Sequence, residues 1–248
     1  MLKRTLIFGM CMIFCPLNIS AQNAKDLVEK SFQYMRGNTS IATINMTIQR
    51  QSWKRKIVMQ AWTKGQLNSI FHIISPVKDK GNGTLKTKDG MWVYNPQVNR
   101  VIKIPPSMMS QAWMGSDFSN NDLSKTDSIL KDYSHTIVGK EKIDGKIVYV
   151  IKLTPYSDAP VVWAMQKIFI REDYIILKQE FYNEDLALVK TLSSSQINNF
   201  YGKLFPKVWK MKKNKESGHT TVVYEKLRFD KNVPDSVFTL SNLKNSNR

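Results

Sequence analysis

From Ser40 onward the chain changes apolar for polar residues every second position, and this constrains its fold more than any other feature. SIATINMTIQRQ sets Ile44, Met46 and Ile48 against Thr43, Asn45 and Thr47. A pleated strand with one buried face needs that period, whereas a helix repeats its apolar positions every three to four residues. WKRKIVMQAWTK and LNSIFHII continue in the same manner, separated by Lys64-Gly65-Gln66. MWVYNPQVNRVIKIPP reads as a hairpin around Asn95-Pro96-Gln97, stopped by Pro105-Pro106. Strands resume near Tyr133, with turns at Asp144-Gly145, at Arg171-Glu172-Asp173, at Asn183-Glu184-Asp185 and at Lys215–Gly218.

Three stretches escape the pattern. AKDLVEKSFQYMRG carries Leu27, Val28, Phe32 and Met35 at helical spacing and ends on Gly37. Residues 107–130, SMMSQAWMGSDFSNNDLSKTDSIL, have neither period. The tail DKNVPDSVFTLSNL reads as a short closing helix with Pro234 near its first turn. We therefore expect a mainly β protein with few helices and about 10–11 antiparallel strands. A sheet of that size curls, and must close or cover its concave face. The first helix and the 107–130 insertion are the candidates to cover it, and an insertion this long is more often a functional lid than a plain connection.

The first 21 residues read as a cleaved export signal. Lys3 and Arg4 precede the apolar LIFGMCMIFCPL, and Ile19-Ser20-Ala21 offers a small residue for cleavage. About a dozen apolar residues fall short of the roughly 20 that span a bilayer. Both cysteines, Cys11 and Cys15, lie inside this segment, so the mature chain has no disulfide, thiolate metal site or cysteine nucleophile. Neither follows the small residue that lipid attachment wants. Residues 22–248 show no linker or repeat and suit a single domain, exported and soluble.

The formal charge of +17 favours acidic partners, among which export argues against nucleic acid. Two basic stretches, SWKRK (52–56) and KVWKMKKNK (207–215), are either solvated faces or a docking patch for a transient contact with an anionic membrane surface. Catalytic residues are scarce. His72, His135 and His219 lack the mutual spacing of metal ligands, and no nucleophile elbow, phosphate loop or dinucleotide fingerprint occurs. No cofactor or metal is expected. Asp117 and Asp122 form the one carboxylate pair of interest, but five residues apart in one irregular segment they do not make a dyad. Ser116 or Asp117 reads better as a cap for free backbone N–H groups, and Gly115 as the hinge of a sharp reversal. We expect no enzyme.

The apolar residues of the insertion, Met108, Met109, Trp113, Met114, Phe118 and Leu123, would make a sticky patch if exposed. Either they complete an ordinary core or they cap a groove. Both readings bury the same side chains, so periodicity leaves the choice open.

MWVYNPQVNRVIKIPP followed by WMGSDFSNNDL resembles the signature of the LolA-like outer-membrane lipoprotein-sorting proteins. FYNEDLALVKTL, NFYGKLFPKVWKMKKN and VPDSVFTLSNL follow in the family's order, and Gly115-Ser116-Asp117-Phe118 is the most specific element. Ser110-Gln111-Ala112 stand where the family often has arginines. The resemblance implies a half-open antiparallel β-barrel with a helical lid over an apolar cavity. It also implies a periplasmic carrier that takes the acyl chains of lipoproteins, or other lipid, from an inner-membrane exporter toward an outer-membrane receptor. An adaptor for an envelope lipid exporter is the alternative. On this reading Trp62, Phe71, Ile73, Trp92 and Tyr94 line the cavity from the strands, with Met108, Met109, Trp113, Met114 and Phe118 from the lid. Trp62 shares its side of an ideal strand with Lys56, Gln60 and Lys64.

Overall fold

The computed structural model describes residues 21–124 and 128–245. The expected export signal lies outside the described residues except for Ala21, where the first helix begins. Helix α1, Ala21–Arg36, buries Ala24, Leu27, Val28 and Ser31 along one stripe. Thirteen strands follow among the described residues. Six come first: β1 Thr39–Arg50, β2 Lys54–Lys64, β3 Asn68–Ser75, β4 Gly83–Thr87, β5 Gly90–Asn95 and β6 Arg100–Lys103. After the insertion come β7 Tyr133–Ile143, β8 Lys146–Pro155, β9 Met165–Arg171, β10 Ile176–Tyr182 and β11 Leu188–Phe200. β12 Lys203–Lys213 and β13 Gly218–Phe229 complete the set.

All thirteen belong to one antiparallel sheet in the order β6-β5-β4-β3-β2-β1-β13-β12-β11-β10-β9-β8-β7. The first and last strands pair in the middle, Met46 opposite Val222 and Thr47 opposite Thr221. β6 and β7 are therefore the two free edges, and the sheet curls without closing. Those edges are consecutive in the chain. The segment between them, which contains the 107–130 insertion, has to cross the gap in the barrel.

The strand count exceeds the expected 10–11. β4 is buried on both faces, but its buried Thr84 and Lys86 are polar and Leu85 is its one large apolar side chain, so GTLKT gives no strand signal. Inside the curve, Ala42, Ile44, Met46 and Ile48 of β1 meet Ile57, Met59 and Ala61 of β2 and continue to Trp113. A second inner cluster joins α1 to Tyr133, Ile151, Leu153, Ile168 and Ile170. The tail forms the expected short helical close, on a face that periodicity did not indicate. A 3-10 turn, Asp235–Phe238, and a helix, Leu240–Lys244, lay Val233, Phe238 and Leu243 on the outer face against Ile70, Leu85 and Tyr94.

Candidate functional site

The insertion is built around one tight turn. Trp113–Gly115 is a 3-10 turn in which Met114 (φ 53°) and Gly115 (φ 74°) both take left-handed backbone, easy for glycine and costly for methionine. Trp113 N–H donates to Phe118 O at 2.8 Å, closing the loop. Ser116 Oγ donates to Trp113 O at 2.7 Å and accepts the Phe118 N–H at 3.2 Å. The Trp113 indole N–H donates to Thr84 Oγ1 at 3.0 Å, which tethers the turn to the strand β4. After the turn come two short helices, α2 Asn120–Ser124 and α3 Ser128–Lys131.

The two aspartates serve this segment in different ways. Asp117 does not cap the next turn, as the sequence suggested it could. It is 3% exposed and receives both Nη groups of Arg50 at 3.0 Å, while the Thr220 hydroxyl donates to it at 2.6 Å. Arg50 ends β1 and Thr220 lies in β13, so this carboxylate clamps the insertion to the centre of the sheet. Asp122 accepts the Ser119 N–H at 2.8 Å while Ser119 Oγ accepts the Asp122 N–H at 3.2 Å, a reciprocal cap on α2. Its carboxylate also holds Lys190 Nζ, which lies over the rings of Trp163 and Phe181. Burial pushes the Lys190 ammonium below its ordinary value, and Asp122 opposes that shift. Both carboxylates already have a cation, and each holds a different one.

Beneath the insertion lie two adjoining chambers with mostly apolar walls. One, of about 290 Å³, is bounded by Phe32 and Met35 of α1 and by Tyr133, Ile176 and Phe181. The other, of about 240 Å³, lies between Ile44, Met46, Met59 and Phe71 on the sheet and Trp113 and Leu123 on the insertion. Arg36, Phe118, Asp122, Leu192, Trp209 and Tyr224 line both. Each alone falls just under the ~300–1,000 Å³ of ordinary ligand pockets, and joined they enter that range. The interior is thus not filled by the protein's own side chains. Among its walls the Trp209 indole N–H is buried without a hydrogen-bond partner among the described residues.

Of the ten residues expected to line a cavity, Phe71, Trp113 and Phe118 bound these chambers. Ile73, Met108, Met109 and Met114 belong to the same inner core without bounding them. Trp62, Trp92 and Tyr94 are placed differently: they pack on the outer face with the C-terminal tail. Strand parity explains it. Ala61, Met91 and Val93 point inward, so their neighbours Trp62, Trp92 and Tyr94 point outward. The lysines sharing Trp62's side were the visible warning, whereas MWVY is apolar on both faces and offered none. Sequence reasoning also missed Arg36, Leu192, Trp209 and Tyr224, whose patterns match plain core.

The two basic stretches meet through sheet register. Lys210 pairs with Thr221, Thr221 with Thr47, and Thr47 with Lys56. Lys54, Lys56, Lys210 and Lys212 form an exposed outer patch, and none has an ion pair among the described residues. His72 and His135 are buried, and His135 Nε2 lies 2.8 Å from Ile129 O. No group of three or more His, Asp or Glu among the described residues is placed to hold a metal ion.

Comparison with solved structures finds this half-open barrel elsewhere. A crystal structure described as an outer membrane lipoprotein-sorting protein domain from Vibrio parahaemolyticus superposes with a TM-score of 0.80 at 23% identity, covering 91% of this chain and 100% of that one. A DUF1329 family protein from Desulfovibrio piger gives 0.81 at 23%, covering 90% and 98%. A LolA superfamily protein from Nitrosomonas europaea gives 0.72 at 22%, covering 88% and 98%. The LolA-like resemblance drawn from the sequence therefore holds for the fold. No curated protein sequence matches the chain. Residues 65–245 match the model of a protein family described as "Uncharacterized protein".

Proposed function

The chain belongs to that family and has the open barrel of the LolA superfamily, and from this premise we propose that it is a periplasmic carrier of acyl chains. The observation that carries the reading is the pair of joined apolar chambers under the segment that crosses the barrel's gap. Cargo is the acyl part of a lipoprotein or another lipid, moved toward the outer membrane. Residues 1–21 act as the export signal and 22–248 as one carrier domain. No described helix is long and apolar enough to cross a membrane.

The physics of carriage fits this architecture. Hiding an acyl chain from water gains about 0.8 kcal/mol per CH₂, or roughly 12 kcal/mol for sixteen carbons fully buried. Release needs that gain offset, and a lid held by discrete polar clamps supplies the means. Opening breaks Arg50–Asp117 and Asp122–Lys190 and exposes a buried lysine and a buried aspartate. Phe71, Trp113 and Phe118 contact the chain, Gly115 and Ser116 shape the turn, and Asp117 anchors it. With both aspartates occupied in holding the lid, the protein works by binding rather than by catalysis.

The outer lysine patch is suited to anionic headgroups at the donor or acceptor membrane. Each such contact weakens as salt screens it, so affinity for anionic vesicles should fall between low salt and 0.5 M. Carriage itself is tested on the purified mature chain. Native mass spectrometry should find bound lipid, or delipidated protein should take up a fluorescent fatty acid with a change in tryptophan emission. Failure of both, together with stable capture of a membrane exporter, would replace the carrier by an adaptor.

A further inference from the structure

Arg36 is a half-buried cation without a counter-ion among the described residues, in mostly apolar surroundings. It closes α1 and lines both chambers where they join. Its Nε donates to Gly65 O at 2.7 Å and one Nη to Asn68 O at 3.0 Å, both neutral carbonyls. Among the described residues no carboxylate lies within ion-pair distance of it. The other cations around the insertion are treated differently, Arg50 having Asp117, Arg55 having Asp79 and Lys190 having Asp122. A buried charge is ordinarily paired, because an unpaired one forfeits its hydration for nothing.

A structural role for Arg36 explains only part of this. The two carbonyls it binds flank the β2–β3 turn, so it does brace that turn against α1. Two N–H donors suffice for the task, and a guanidinium has five. Tyr224 lies on the same junction, lining both chambers, and its hydroxyl has no hydrogen-bond partner among the described residues. Burial raises the Tyr224 phenol above its ordinary value, so it stays a donor at neutral pH, and Arg36 is the opposing influence. A second cation stands close by. Lys203 Nζ lies over the rings of Tyr34 and Phe229 and is 3.6 Å from where a side chain on Gly37 would begin.

We propose that the junction of the two chambers is a binding site for an anionic head group, a carboxylate or phosphate, on an acyl amphiphile. Arg36 meets its charge and the Tyr224 hydroxyl donates to one of its oxygens, while the chain lies along the apolar walls. This rests on the reading of the chambers as an acyl site, and it adds the class of head group. The Asp122 carboxylate on the same junction is held by Lys190, so an amphiphile of this kind supplies hydrocarbon for the apolar walls and an anion for Arg36.

The test compares palmitate, methyl palmitate and acetate on delipidated full mature chain, read by tryptophan fluorescence. A charged hydrogen bond made in place of a neutral contact predicts that palmitate binds about tenfold tighter than its ester. Arg36→Gln should bring acid and ester within about twofold of each other, and Arg36→Lys should restore part of the preference. Tyr224→Phe should weaken palmitate about threefold and leave the ester unchanged. The acid-to-ester ratio is measured within each variant, so partial loss of fold does not mimic the result. Equal binding of acid and ester by the unaltered protein, or a preference that survives Arg36→Gln, overturns the head-group site and leaves the carrier standing. Binding of neither chain-bearing probe overturns the carrier and this site together. Acetate that displaces palmitate at equal concentration shows a bare anion site and overturns the amphiphile.

Discussion

Replacing Asp117 by asparagine keeps the shape of the side chain and removes its charge. The carboxylate is 1% exposed and takes three hydrogen bonds, two from Arg50 at 3.0 Å and one from Thr220 at 2.6 Å. Removing one partner of a buried ion pair costs ~3–5 kcal/mol, mostly because the other charge is left unpaired. The Arg50 side chain is 19% exposed, so water recovers part of that, and the lower end, about 3 kcal/mol, applies. For a chain of this size that corresponds to a melting temperature lower by about 6–12 °C. Urea unfolding of the mature chain measures the loss. Hydrogen exchange then tells whether it is local, with the Trp113, Ser116 and Phe118 amides opening before those of β1. The double variant Arg50→Met, Asp117→Asn should recover about 1 kcal/mol or more relative to additivity. A loss under 1 kcal/mol with unchanged protection of the turn would refute the view that this clamp holds the insertion on the sheet.

Three further outcomes follow from the same geometry. Leu192 lines both chambers, so Leu192→Trp should fill the void and weaken fatty-acid uptake about tenfold or more, with melting unchanged to within ~2 °C; undiminished uptake would place the lipid elsewhere. Burial lowers the pKa of His72 and His135, the Ile129 carbonyl opposing this for His135, so the unfolded chain binds more protons below the ordinary value near 6.5. Stability is then full above pH 6.5 and declines as pH falls from there through the folded values; urea midpoints at pH 7.5 and 5.5 check it, and a slope unchanged in the His72→Gln, His135→Asn double variant would exclude these groups as its source. Gly218 has φ 124°, and an added Cβ would lie 2.4 Å from Gln49 O, so Gly218→Ala should cost about 2–3 kcal/mol by strain and backbone displacement; a change below ~0.5 kcal/mol in urea unfolding would mean that the β1–β13 pairing yields freely.

Much of the barrel was legible in local pattern. The two-residue period marks β1 unmistakably, Asp144-Gly145 marks a hairpin, and Gly37 closes α1, because each is decided by neighbours in the chain. β4 was not legible, since Thr84 and Lys86 are polar and yet buried, so polarity did not report burial there. The tail's docking on the outer face was hidden for a related reason. Outward apolar residues such as Trp62 and Trp92 look the same whether they face a cavity or a covering helix.

By itself the sequence determined the class of fold, the span of the irregular insertion and the need of its apolar residues for cover. These follow from periodicity and from the cost of exposed hydrocarbon, both local properties. Tertiary structure alone decided which face each strand turns inward and that the insertion bridges the free edges of one sheet. It alone set Arg36 beside Tyr224, Asp117 against Arg50 and Thr220, and Asp122 against Lys190. Those partners lie far apart in the chain, and only the curled sheet with the elements packed against it brings these groups within reach of one another.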